Sequence, residues 1–238
     1  MWIQNGPDDE MNSIEVGWAV YPELFGDNLT RLFTYWTADG YQSTGCFNFL
    51  CKGFIQIHDN MTLGDPIDPN DPRMIVTGNY ADPDNPRMPI SVYRSEVSGN
   101  WWLFIGEERI GYWPRELWTH LAHDASFVRF GGMAGATSGS PSPPMGKGNL
   151  PAGKSGMENS GWMSQLMVYN ESLIPVYFDF DRAFKRHDTW ESCYDIQFLW
   201  FSDIPYYNVL EYGGPGGSHC EGDPVCKSWF SGHYEYCD

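Results

Sequence analysis

The apolar residues of this chain come in short β-branched and aromatic runs, each closed by Gly, Pro, Asn or Asp, and that spacing commits the fold to strands. "RLFTYWTADGY" runs into a turn at Asp39-Gly40, and "GFIQIH" follows the small loop between Cys46 and Cys51. "PISVYRS", "NWWLFIG" and "RIGYWP" read as a meander with turns at Gly99-Asn100 and near Glu107. Strands resume at "WMSQLMVYN", "PVYFDF", "DIQFLWF" and "NVLEY". Between the two groups, residues 131–161 are rich in Gly, Ser and Pro and are expected to be irregular, as is the Pro/Asp-rich excursion over 65–89. One helix is expected in "PRELWTHLAHDA", with Pro114 at its start and Leu117 and Leu121 one turn apart. The class is all-β with at most one short helix, and no second domain boundary interrupts the 238 residues.

One strand carries an unusual passenger. In "NSIEVGWAV", residues 12–20, alternation puts Ile14, Val16, Trp18 and Val20 on one face. Glu15 shares the other face with Gly17 and Ala19, neither of which fills space. A carboxylate between two small neighbours is either a surface residue or an acid presented into a cleft.

Charge and cysteine content narrow the function classes. The formal net charge of -17 leaves no basic stripe for a phosphate backbone, so nucleic acid is excluded as a partner. No apolar run reaches membrane length, so no membrane partner is expected. Six cysteines without zinc-ribbon spacing point to an oxidising compartment and three disulfides. Sequons at Asn28, Asn60 and Asn170 agree with secretion. No signal peptide precedes Trp2, so the chain reads as a mature or trimmed form. His120 and His123 form an H-x-x-H pair, but no further ligands are nominated, and the plainer account is two solvent-facing histidines. No metal or other cofactor is expected. "GNLPAGKS", Gly148 to Ser155, matches the phosphate-loop pattern, yet "SPSPPMGKG" before it cannot be a central strand and Gly156 and Gly161 start no helix. It is a chance match.

Taken in order, "NSIEVGWAVYPELFGDNLTRLFTYWTADGYQSTGCFNFLCKGFIQ", "GNWWLFIG", "IGYWPRELWTHL", "FGG", "MGKG", "CYDI" and "YGGPGG" resemble the neprosin domain, a plant-type family of prolyl-cleaving peptidases. The likeness covers nearly the whole chain. It implies a β-sandwich of two antiparallel sheets over residues 1–238, made as a zymogen whose N-terminal pro-domain is absent here, and secreted. It also implies pairing Cys46 with Cys51 and Cys193 with Cys220, which leaves Cys226 with Cys237.

The resemblance further implies a glutamic peptidase: one glutamate in an "IEAGW"-like strand and a second in a "WGGEV"-like strand facing it. Such a pair splits into an ionised base that takes a proton from water and a protonated acid that donates one, which suits acid pH and needs no metal. Glu15, in "SIEVGW", carries the first position over. At the second, "RFGGMAG" puts Met133 where the family has glutamate, and a thioether transfers no proton. The downstream stretch departs too, with Lys147 for serine, Asn149 for histidine and Pro144 ahead of Met145. Glu158 in "GMENSG" is the nearest substitute acid in sequence; a loop residue is its plainer account, as a solvated turn is for Glu107 and Glu108. Tyr35, Trp36, Gly131 and Gly132 are expected to line the cleft, the glycines by letting a peptide backbone approach. Four readings remain: a peptidase acting on peptide or protein beside proline, a carbohydrate-active hydrolase using two carboxylates and aromatic platforms, a catalytically dead binder of peptide or glycan, or an enzyme disabled by an engineered Met133. Trp18, Trp36, Trp101, Trp102 and Trp113 mostly fill the core in the plainer account of the rings.

Overall fold

The structure is a computed structural model. It describes residues 1–68, 88–154, 159–170, 172, 174–180, 183–201, 208–228 and 234–235, with 221–228 and 234–235 as backbone alone. The fold is all-β and antiparallel, and its chain falls into two compact units, Met1–Phe130 and Gly131–Asp238.

The first unit is a sandwich of two sheets. One has the order β4-β3-β2-β1-β9, built from Trp2–Asn5 (β1), Asn12–Ala19 (β2), Arg31–Thr37 (β3), Cys46–Phe47 (β4) and Phe127–Arg129 (β9). The other has the order β5-β8-β7-β6, from Ile55–Gln56 (β5), Ile90–Arg94 (β6), Trp101–Ile105 (β7) and Glu108–Trp113 (β8). Alternation along the strands sends Ile3, Ile14, Val16, Leu32 and Trp36 of the first sheet against Trp101, Leu103, Ile105, Ile110 and Trp113 of the second. The meander β6–β7–β8 pairs as its alternation and turns predict, and Gly99 turns the chain at φ +74° before β7. Of the five tryptophans expected to fill the core, Trp36, Trp101 and Trp113 do. Trp18, near the end of β2, is 38 % exposed, and Trp102 lies outside that core, packed on Tyr112 with ring centroids 4.6 Å apart.

The helix expected over "PRELWTHLAHDA" does not form. Only a 3-10 turn, Arg115–Leu117, appears, and Trp118 is already extended. The physical reason lies in β2. Asn12 is fully buried, and its side-chain oxygen accepts the backbone N–H groups of Thr119, His120 and Leu121 at 3.0, 2.8 and 3.1 Å. Those donors would have supplied the helix's i→i−4 bonds. Its amide nitrogen donates to the carbonyls of Glu10 and Ala38 at 3.1 and 3.0 Å. Thus pinned, the segment drops Trp118 and Leu121 into the core. The one α-helical turn among the described residues is Pro22–Phe25 (α1), opened by proline at its first position and closed by Gly26 at φ +80°.

In the second unit, Gly161–Ser164 (β10), Asn208–Gly213 (β15) and Asp195–Trp200 (β14) make a three-stranded sheet in that order. Met167–Tyr169 (β11) and Pro175–Tyr177 (β12) form a hairpin, and Phe184–Thr189 (β13) pairs with Glu221–Ser228 (β16), which pairs with Tyr234–Glu235 (β17). Of the stretch 131–161 expected to be irregular, the described residues before Gly161 contain no named strand, and Gly161 already opens β10. Tyr194, with the bridged pair Cys193 and Cys220, forms a small core that Met145 and Ala134 close.

Two disulfides join the pairs that the resemblance implies, Cys46–Cys51 and Cys193–Cys220, with Cα separations of 5.8 and 5.7 Å. The Cys226 side chain and Cys237 lie outside the described residues, as do Glu158 and most of the Pro/Asp-rich excursion. Asn28, Asn60 and Asn170 are all exposed, in loops.

Candidate active site

Glu15 stands on the face of β2 that turns away from the sandwich core. Register fixes its neighbours: Trp2 of β1 on one side and Tyr35 of β3 on the other. Directly paired residues point the same way, so Trp2, Gln4, Ser13, Glu15, Tyr35 and Arg129 share this face. Gly17, opposite Phe33, keeps the next position along the strand low. Glu15 itself is 8 % exposed.

A second segment reaches over the same face. After β3 the chain turns at Gly40, φ +63°, whose N–H donates to Met11 O at 2.9 Å. The Asp39 carboxylate then gathers the N–H groups of Gln42, Ser43 and Thr44 and the hydroxyls of Ser43 and Thr44. Those bonds, led by the two hydroxyls, hold the Asp39 carboxyl far below the usual carboxylate range. At the crest sits Tyr41, in the left-handed region at φ 65°, with its N–H on Thr37 Oγ1 at 3.0 Å. A non-glycine residue so held carries strain that the surroundings must offset. Its phenol donates to Glu15 Oε1 at 2.7 Å, and its ring packs against Tyr35 with centroids 5.9 Å apart. Tyr35 in turn meets Phe47 edge-on at 4.8 Å, and Phe47 contacts Phe33 and Tyr21. The carboxylate is thus flanked by a ladder of aromatic rings.

Burial raises the Glu15 carboxyl above the ordinary glutamate value, and the Tyr41 hydrogen bond opposes that rise without cancelling it. Burial also pushes the Tyr41 phenol up to about 12, so it remains a donor at every working pH. Tyr35 is raised as well, first by burial and then by the Glu15 charge.

The other residues singled out in the sequence sit as follows. Tyr35 lies on the Glu15 face, whereas Trp36, one residue on, lies in the sandwich core edge-on to Trp118. Met133, in the second unit, is 74 % exposed on an irregular segment. Gly132 has a packing reason of its own: a Cβ there would run into Met145 Sδ and the Tyr212 ring. A Cβ on Gly131 would meet only Ile196, at an ordinary 3.8 Å. Glu107 and Glu108 are exposed at the turn into β8, with Glu108 3.6 Å from His58. His120 approaches Glu10 at 3.3 Å, and His123 is exposed on the same turn.

Sequence reasoning missed Tyr41 and Trp2, whose side chains hydrogen-bond Glu15, and a second acid, Glu211. Glu211 lies mid-strand in β15, wholly buried, and accepts the N–H groups of Ala152 and Gly153 at 3.0 and 2.9 Å and the Ser160 hydroxyl at 2.7 Å. The same signal marked both acids: "NVLEYG", like "NSIEVGW", has one carboxylate in an apolar run. This contact also disposes of the phosphate-loop match, since two amides of "GNLPAGKS" are already taken by an internal carboxylate.

The fold and site define an antiparallel all-β protein that presents, on a sheet face beside aromatic rings, a buried carboxyl group raised above the ordinary glutamate value. The family model described as Neprosin matches residues 1–215, and the chain belongs to that family.

Proposed function

We propose that this chain is a secreted hydrolase of the glutamic-peptidase type that cuts extended peptide beside proline at acid pH, with Glu15 as its acid. The observation that carries the reading is Glu15 itself, buried on the sheet face that turns away from the sandwich core and hydrogen-bonded by Tyr41. The peptide substrate and the proline preference rest on family membership, and the two disulfides and three exposed sequons support secretion.

Burial lets the Glu15 carboxyl keep its proton to higher pH than an ordinary glutamate, which suits it to donate in acid. As water adds to the peptide carbonyl, that proton passes to the departing nitrogen. The C–N bond breaks, the new C–O bond holds, and the proton shed by water restores the acid. Tyr35 and Phe47 offer flat apolar surface beside the carboxyl group for an apolar residue of the chain being cut.

In the family pattern a second glutamate would take the water's proton. Met133 cannot, so the attack proceeds without a general base and turnover is slow. A positioned base contributes about 10²–10⁴-fold, so Met133→Glu is expected to raise cleavage of a proline-rich unstructured protein between pH 2 and 6 by at least about 10²-fold. Met133 also favours a second reading, a binder of peptide or glycan without turnover. Fragments from neither the natural chain nor Met133→Glu would remove the peptidase reading, and a glycan panel would then test the second.

A further inference from the structure

Glu15 lies on β2, the middle strand of its five-stranded sheet, so a chain that reaches it must cross the face and cannot run along an edge. The flank beyond β2 is closed as well. Asn48 Oδ1 takes the Thr34 N–H at 2.9 Å, and the Thr34 carbonyl takes the Asn48 N–H at 2.9 Å. The Leu32 N–H donates to Asp65 O at 3.2 Å, and the Leu32 carbonyl accepts from Gly64 at 2.8 Å. The outer strand β4 is only two residues long and is tied by the Cys46–Cys51 disulfide. A peptide lying here therefore cannot be held as an added strand.

What the face offers instead is rings and hydroxyls. Phe47 is the hub: Tyr35 meets it at 4.8 Å and Tyr21 at 5.7 Å, both nearly edge-on, and Phe33 at 6.0 Å. Tyr35, Phe33 and Phe47 are half-buried and Tyr21 is exposed, so ring surface is left uncovered. Gly17, opposite Phe33, has a backbone that any residue could adopt, and a Cβ there would meet only the Phe33 ring, at 3.4 Å. Neither φ nor a backbone clash requires the glycine; it keeps the surface low beside Glu15, where a ligand can approach closely. Among the described residues the hydroxyls of Tyr21 and Tyr35 donate to no partner.

That chemistry selects its occupant. Over these rings an ordinary peptide would turn N–H groups toward a sheet whose carbonyls are already paired, and donors left unmade are costly. Proline has no N–H to leave unpaired. A polyproline II segment keeps its carbonyls free of internal bonds, open to the two tyrosine hydroxyls, and its pyrrolidine rings fit clefts between aromatic rings. The clefts on either side of Phe47 lie within one turn of such a helix, about 9 Å. We propose that Tyr35, Phe47, Phe33 and Tyr21 form a docking track for a proline-dense segment in the polyproline II conformation, lying to one side of the bond at Glu15. The substrate class is then proline-dense peptide, and one proline in a flexible chain does not suffice. The inference rests on Glu15 being the reacting group.

The test is binding to the full chain carrying Glu15→Gln, read by fluorescence anisotropy of two labelled peptides of equal length. One is proline-dense; the other has a single proline among Gly and Ser. The proline-dense peptide is expected to bind about tenfold tighter or more, and Phe47→Ala, added to that chain, to bring the ratio close to one. Equal affinities before Phe47 is changed overturn the track, and so does a ratio that Phe47→Ala leaves in place. A merely structural Phe47 would lower the melting temperature without moving that ratio. Should Phe47→Ala fail to fold, Tyr21→Ala decides, and an unmoved ratio there overturns the track equally. Cleavage by the natural chain and by Met133→Glu separates this from the peptidase reading. Preferential binding with no cleavage by either sinks the enzyme and keeps the track; cleavage of both peptides at equal kcat/KM keeps the enzyme and sinks the track.

Discussion

Asn12→Ala tests the tertiary contact that overrides a helical pattern. Three backbone donors converge on the Asn12 oxygen, those of Thr119, His120 and Leu121. Thr119 is exposed and its N–H can turn to water, whereas Leu121 is fully buried and His120 half-buried. A buried donor left unpaired costs about 1–3 kcal/mol. With a full penalty at Leu121, part of one at His120, and the lost bonds to the Glu10 and Ala38 carbonyls, the variant should lose about 3–4 kcal/mol. For a chain of this size that lowers the melting temperature by about 6–16 °C. Urea unfolding gives the free energy, and hydrogen exchange at the Leu121 amide gives the site. Asn12→Asp keeps the acceptor and loses the donors, so it should restore protection at Leu121 while leaving part of the stability loss. A drop below about 1 kcal/mol in Asn12→Ala, with Leu121 still protected, would refute the account of why no helix forms.

Glu15→Gln should change how stability depends on pH. A carboxyl whose folded-state value is raised binds its proton more tightly folded than unfolded. Its contribution is therefore complete below the ordinary glutamate value and is lost as pH rises through the raised one. The Gln variant should be more stable than the natural chain at pH 7 and lose that advantage by pH 4, as followed by thermal melts across the range. Glu211→Ala leaves two amides and a buried hydroxyl without their acceptor, for a loss of about 3–5 kcal/mol, and proteolytic nicking should appear between Gly148 and Ser160. Reducing Cys193–Cys220 frees a loop of sequence separation 27. On the chain-entropy account this costs about 3–4 kcal/mol, and titration with a thiol while monitoring Trp fluorescence would read it.

The strands were legible because alternation and turn residues are local signals, and β6, β7 and β8 are bounded by them on both sides. Short or charged strands were not. "WIQN" becomes β1 because β2 offers an edge, "FVR" becomes β9 by pairing with β1 in turn, and "FKRHDT" becomes β13 by pairing with β16. Periodicity suggested a helix at Pro114 and had no way to include Asn12, more than a hundred residues earlier. The candidate site divides in the same way. Glu15 was visible as a carboxylate out of place in an apolar run, whereas Tyr41 was invisible because its approach depends on a left-handed turn after β3. Tyr35 and Trp36 looked equivalent in sequence, and strand parity sends one to the acid and the other to the core.

The central claim is that Glu15 is the acid of a peptide hydrolase. Incubating the natural chain and Glu15→Gln with a proline-rich unstructured protein from pH 2 to 6, and identifying fragments by mass spectrometry, tests it most directly. The account predicts slow cleavage beside proline by the natural chain, rising toward acid pH, and none by a Glu15→Gln variant that melts cooperatively. Equal fragment yields from the two would contradict it.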